Sequence, residues 1–102
     1  MFGPWAVSHA QDRHGHECSF GVNGSDSRVY YLDSANHVNE RAWVGSWVNN
    51  DLTAITGAPS AAAGSALACF GVNGSDSRVY YLDPANHVNE LAWVGSWVHN
   101  FI

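Results

Sequence analysis

An arginine, a glutamate twelve positions on, and two tryptophans beyond it recur in the same order at two places in the chain: Arg28, Glu40, Trp43 and Trp47, then Arg78, Glu90, Trp93 and Trp97. These types suit recognition of a neutral sugar. Guanidinium donors and a carboxylate acceptor can bracket vicinal hydroxyls through charge-assisted hydrogen bonds. An indole covers the apolar C–H face of a sugar ring and keeps water from it. No metal is needed for either contact. The alternative for each Arg/Glu pair is a structural ion pair between strands, and for each Trp it is core packing. Repetition of all four positions favours a site.

The recurrence belongs to a longer repeat. Residues 19–50 and 69–100 are offset by 50 positions and identical at 28 of 32. They differ at Ser19/Cys69, Ser34/Pro84, Arg41/Leu91 and Asn49/His99. The whole chain has 102 residues, a formal net charge of −5 and four Lys+Arg, which makes nucleic acid a poor partner. Hydrophobic residues make up 46% and aromatics 13%, which argues against disorder. No apolar run approaches the length of a membrane helix, so membrane insertion is not expected. Met1–Ala10 lacks the basic head and apolar stretch of a signal peptide. The expectation is a soluble chain that would act outside the cell, if it does, without a recognisable leader.

Each copy reads as β. Arg28–Leu32 is β-branched and aromatic, and Val38–Trp43 alternates in type. Between them Asp33–His37 has turn composition, so the two runs form a hairpin. Centred on Ala35, that hairpin sets Tyr30 opposite Glu40 and Arg28 opposite Ala42. Arg28 then becomes a diagonal neighbour of Glu40 on one face, while Trp43 looks out of the other. Asn23-Gly24 and Asn73-Gly74 predict tight turns and preceding strands near 17–22 and 66–72. A short fourth strand follows Gly45, around Ser46–Asn49. Four short antiparallel strands make one propeller blade. The fold expected is therefore all-β, with blade 1 at 16–50, a connector at 51–64 and blade 2 at 65–102. Residues 1–15 form a leading segment without a counterpart. Gly57 and Pro59 argue that the connector is a loop rather than a helix.

Two blades do not close a ring, and each blade needs neighbours on both faces. Self-association is expected on that ground. Stacking would set the Arg/Glu pair of one blade against the tryptophans of the next.

At these residues the sequence resembles the fucose-binding propeller lectins of fungi and soil bacteria, the Aleuria aurantia lectin type. The shared pattern is R-V-Y, a turn, E-x-x-W and a second W: Arg28-Val29-Tyr30, Glu40, Trp43 and Trp47, and again Arg78-Val79-Tyr80, Glu90, Trp93 and Trp97. It covers both copies, roughly two thirds of the chain. The resemblance implies metal-independent binding of L-fucose or fucosylated glycans at sites between blades. It also implies a homotrimer whose three two-blade chains complete a six-bladed propeller. Arg28 and Glu40 would work with Trp93 and Trp97 inside one chain, and Arg78 and Glu90 with Trp43 and Trp47 of a neighbouring chain. The Arg–Glu spacing is one residue longer than in the bacterial members.

Other motifs read more plainly. A glycosidase needs two carboxylates on either side of one bond, and each repeat offers a single Glu beside turn aspartates, so no enzyme is expected. Cys18 and Cys69, at non-equivalent positions of the repeat, make neither a disulfide framework nor a CxxC knuckle, and their redox state is left open. His9–Cys18 holds metal-ligand types in a spacing that fits no tetrahedral motif, so no metal site is expected there. The NGSDS runs at 23–27 and 73–77 carry too few carboxylates for calcium. The Asn-Gly-Ser triplets within them match the glycosylation acceptor only by accident without a secretion signal. His37 and His87 are expected to be exposed in turns, and Tyr30, Tyr31, Tyr80 and Tyr81 to pack the blades. A second reading is an engineered or ancestral-like repeat scaffold whose main property is self-assembly.

Overall fold

The computed structural model describes residues 17–22, 26–72 and 76–102. The leading segment, the Asn-Gly turns and the glycosylation triplets lie outside these residues, as does most of the histidine-bearing run before Cys18. The described chain is all-β apart from one short helix. Strands β1 (Glu17–Val22), β2 (Asp26–Leu32), β3 (Val38–Trp43) and β4 (Trp47–Asp51) form one antiparallel sheet. Helix α1 (Leu52–Thr56) follows it. Strands β5 (Ala68–Val72), β6 (Asp76–Leu82), β7 (Val88–Trp93) and β8 (Trp97–Phe101) form a second sheet of the same order.

The two β-turns differ only at Ser34/Pro84 and are built alike. Asp33 Oδ1 accepts the backbone N–H groups of Ala35 and His37 at 2.9 and 3.0 Å, and Asp83 does the same for Ala85 and His87 at 2.9 Å each. These side-chain caps let Asn36 and Asn86 take φ of 61° and 66°, the left-handed region that asparagine tolerates. The β3–β4 and β7–β8 turns place Gly45 and Gly95 at φ of 97° and 98°. Register follows from those turns. Arg28 pairs with Ala42 and Tyr30 with Glu40, as the hairpin centred on Ala35 requires.

The core lies between the sheets. Tyr30 and Val38 from one face of the first sheet meet Val79, Tyr81 and Leu91 from the opposite-parity face of the second. Leu52 of α1, Ala58 and Ala61 of the connector and Leu67 just before β5 complete it. Strand β1 runs against β5, and α1 packs on β3 and β8.

One expectation is corrected here, and one open point is answered. The connector is not a plain loop, because Leu52–Thr56 is helical. The Asp51 side chain caps its N-terminus through the Ala54 N–H, and Gly57, at φ 72°, ends it by giving its N–H to the Thr53 carbonyl. Gly57 terminates the helix rather than forbidding it, and burial of Leu52 holds the single turn in place. The cysteines, non-equivalent in the repeat, are nevertheless partners. Cys18 on β1 and Cys69 on β5 form a disulfide, with Cα atoms 6.0 Å apart. The repeat offset hid this pair, because the bond joins the facing surfaces of two sheets rather than matched positions.

The outward faces carry apolar side chains. On the first sheet Trp43 and Trp47 are 37% and 52% exposed, and on the second Phe70, Leu82 and Val88 are exposed. Among the described residues no helix is long and apolar enough to cross a membrane.

Candidate functional site: a cleft between the two sheets

Period-two alternation along β2 and β3 puts Arg28, Tyr30, Glu40 and Ala42 on the face that meets the second sheet. Along β7 and β8 the same rule puts Trp93 and Trp97 on the face that meets the first. Where these faces diverge they leave a cleft of about 390 Å³. Its polar wall is Arg28, Glu40 and Asn50, with Ser77 contributed from the second sheet; Trp93 and Trp97 form its aromatic wall.

Three side chains hold Glu40. Its carboxylate accepts the Tyr30 hydroxyl at 2.8 Å and the Asn50 amide at 3.0 Å, and the Arg28 Nε lies 3.8 Å away. Arg28 also donates to the carbonyls of Ser27 and Trp43 at 3.2 and 3.3 Å, which fixes its guanidinium along the rim. The residue as a whole is buried, so these donors decide whether the carboxylate is tolerated there. Burial, and then the Glu40 charge beside it, pushes the Tyr30 phenol far above its ordinary range. Tyr30 therefore stays a donor.

The aromatic wall is a cross-strand pair. Trp93 and Trp97 face each other in the β7–β8 register with ring centroids 5.8 Å apart and planes at 61°. The Trp97 ring meets Tyr30, the donor to Glu40, edge-on at 6.3 Å.

The second copy builds the same polar group. Glu90 accepts Tyr80 at 2.7 Å and Asn100 at 3.0 Å, with Arg78 Nε at 3.8 Å. The Tyr80 hydrogen bond, with help from Asn100 and Arg78, holds the Glu90 carboxyl below its usual range despite partial burial. This group lies on the outward face of the second sheet. Trp43 and Trp47, paired at 5.6 Å, lie on the outward face of the first. The fold thus brings Arg28, Glu40, Trp93 and Trp97 together and leaves Arg78 and Glu90 apart from Trp43 and Trp47.

Reading the sequence missed several members. Asn50 and Asn100 are glutamate partners, and the signal was present: a hairpin turning at Gly45 sets Asn50 across from Glu40. Tyr30 and Tyr81 lie in the core between the sheets, while Tyr80 lies on the outward face of the second; Tyr30 and Tyr80 are also hydrogen-bond donors to Glu40 and Glu90. His37 is not simply exposed; its Nδ1 lies 2.8 Å from Asp51 Oδ2. His87, where Phe101 replaces Asp51, is the exposed one of the pair.

Asp33, His37 and Asp51 bring ligand-type atoms within 4.8 Å of one another. Their oxygens already have structural work. Asp33 Oδ1 caps the turn, its Oδ2 accepts Asn39 at 2.8 Å, and Asp51 Oδ1 caps α1. The acceptor pattern fits a turn-and-cap cluster. No family model matches the chain, and no curated protein matches it.

Proposed function

We propose that this protein is a metal-independent carbohydrate-binding lectin that recognises L-fucose or fucosylated glycans in the cleft between neighbouring sheets. The observation that carries the reading is the convergence, from different repeats, of Arg28 and Glu40 with Trp93 and Trp97 around one cleft. Tyr30 and Asn50 saturate the inner side of the Glu40 carboxylate and orient it as an acceptor. Arg28 supplies donors beside it. One hydroxyl pair of a sugar would bridge the two, and an indole would cover the ring face. The same geometry argues for binding over hydrolysis, which would pair two carboxylates across a bond.

In this reading each sheet is a propeller blade. The outward Arg78/Glu90 face of one chain meets the outward Trp43/Trp47 face of the next, and about six blades from three chains close the ring. A second set of sites then forms between chains. Several sites on one assembly raise avidity for a glycan-coated surface by roughly 10²–10⁴. Calorimetry with L-fucose tests the proposal: saturable heat at millimolar sugar is expected, and its absence removes the lectin reading. Arg28→Ala combined with Arg78→Ala is expected to abolish that heat while native mass spectrometry still finds the oligomer. Loss of the oligomer instead would make these arginines structural.

A self-assembling repeat scaffold is the second reading, favoured by near-identical copies that leave two complementary apolar faces outward. An oligomer without sugar heat is its signature.

A further inference from the structure

The cleft lining is common to both repeats, but the covalent bond beside it is not. Arg28, Glu40, Asn50, Trp93 and Trp97 each have an identical counterpart 50 positions away. Three of the four differences between residues 19–50 and 69–100 fall in a single cross-strand row. In the second sheet that row is Cys69–Val79–Leu91–His99, and it faces the first sheet. In the first sheet it is Ser19–Val29–Arg41–Asn49, and it faces outward. Opposite Cys69 stands Cys18, where the second repeat has Ala68.

Cys18 begins the row that ends in the site. Across the first sheet it pairs with Tyr30, Tyr30 with Glu40, and Glu40 with Asn50. Tyr30 donates to Glu40 and lies against Trp97. Phe20, two residues beyond Cys18, stacks on Tyr30 at 5.8 Å and seats its ring over Gly71, where a Cβ would come within 2.6 Å. The bond therefore fixes the strand whose neighbours form the polar wall to the sheet that carries the indoles. Both cysteines are only partly buried, so a reductant can reach them.

We infer that the Cys18–Cys69 disulfide is a redox-cleavable latch that sets the separation of the cleft's two walls, so that a dithiol reductant weakens sugar binding at this cleft and spares its counterpart between chains. The latch rests on the geometry, while the sugar clause rests on the lectin reading. In the reaction a reductant thiolate attacks one protein sulfur, the Cys18–Cys69 bond breaks, and a mixed disulfide forms. The second reductant sulfur, after losing its proton, then displaces the protein sulfur as thiolate. The protein gains two electrons and two protons as two thiols, and the dithiol leaves as its disulfide.

The experiment compares oxidised protein, dithiothreitol-reduced protein and the full-chain variant Cys18→Ala/Cys69→Ser, which places at this junction the residue types of the other repeat. The tryptophan fine structure of near-ultraviolet circular dichroism, at wavelengths longer than the disulfide's own band, reads the packing of Trp97 on Tyr30, and L-fucose calorimetry reads the sites. On reduction the near-ultraviolet signal is expected to change, and half of the sugar sites to weaken by about tenfold or more while the rest keep their affinity. The variant should match the reduced protein and ignore reductant. An unchanged spectrum with unchanged titration overturns the proposal. So does loss of the far-ultraviolet strand signal in both reduced protein and variant, which would make the bond a structural staple. No heat from the oxidised protein removes the lectin reading alone; the near-ultraviolet comparison then decides the latch.

Discussion

Glu40 shows how a charged group survives at a sheet-to-sheet junction. Its oxygens take hydrogen bonds from Tyr30 and Asn50, and Arg28 stands beside it. Removing the deepest donor leaves a buried carboxylate oxygen short of a partner. Tyr30→Phe is accordingly expected to destabilise the chain by about 1–3 kcal/mol, read as a lower urea midpoint at unchanged slope. Protons matter at the same scale. The hydrogen bond to Asp51, reinforced by the charges of Asp51 and Asp33, raises His37 above its ordinary value of 6.5. A raised basic group stabilises the fold fully below its unfolded value, and the benefit disappears as pH climbs through the folded one. Thermal melts from roughly pH 6 to 8 should show this decline in the wild type and a flatter profile in His37→Asn. The carboxyls move the other way. At Asp33 and Asp83 burial works to raise the value, but backbone and side-chain hydrogen bonds outweigh it and hold both low. Their contribution is present above the unfolded carboxyl value and is lost as pH falls through the folded values.

At the scale of elements, the hairpins were readable because strand and turn chemistry agree. Val-Tyr-Tyr-Leu followed by Asp-x-x-Asn marks a strand and its stop, and the turn length alone sets Tyr30 against Glu40. The helix was not readable from its composition. Its single turn, too short to stand alone, exists because Asp51 caps it, Gly57 ends it and Leu52 is buried between the sheets. Asp51→Ala removes both the cap and the His37 partner, with an expected loss of about 1 kcal/mol from the cap. The fit of β1 on β5 is tighter still. Gly71→Ala drives a methyl into the Phe20 ring and should cost about 1–3 kcal/mol, measured by denaturant unfolding.

For the whole molecule, the duplication poses an assembly problem that the two sheets only half solve. The face that buries Tyr30 and Val38 in the first sheet lies open in the second, where Val88 is 42% exposed. The face that buries Leu91 in the second sheet carries exposed Arg41 in the first. Open faces of opposite type favour head-to-tail contact between copies. Sedimentation or native mass spectrometry is expected to find a closed oligomer of three chains, and Val88→Glu to shift it toward the single chain by placing a charge on the open face. A wild-type chain that stays a monomer at high concentration would overturn this assembly.

The sequence by itself determined the strands, the hairpin register and the face each site residue occupies, because turn chemistry and period-two alternation are local. It also paired Arg28 with Glu40 across strands and anticipated that indoles from the next repeat would stand opposite. Only the tertiary structure decided which sheet faces meet, and hence that Cys18 reaches Cys69 and that Phe20 needs Gly71. Those contacts join residues distant along the chain, and their geometry is set by how two twisted sheets and a wedged helix fill the space between them.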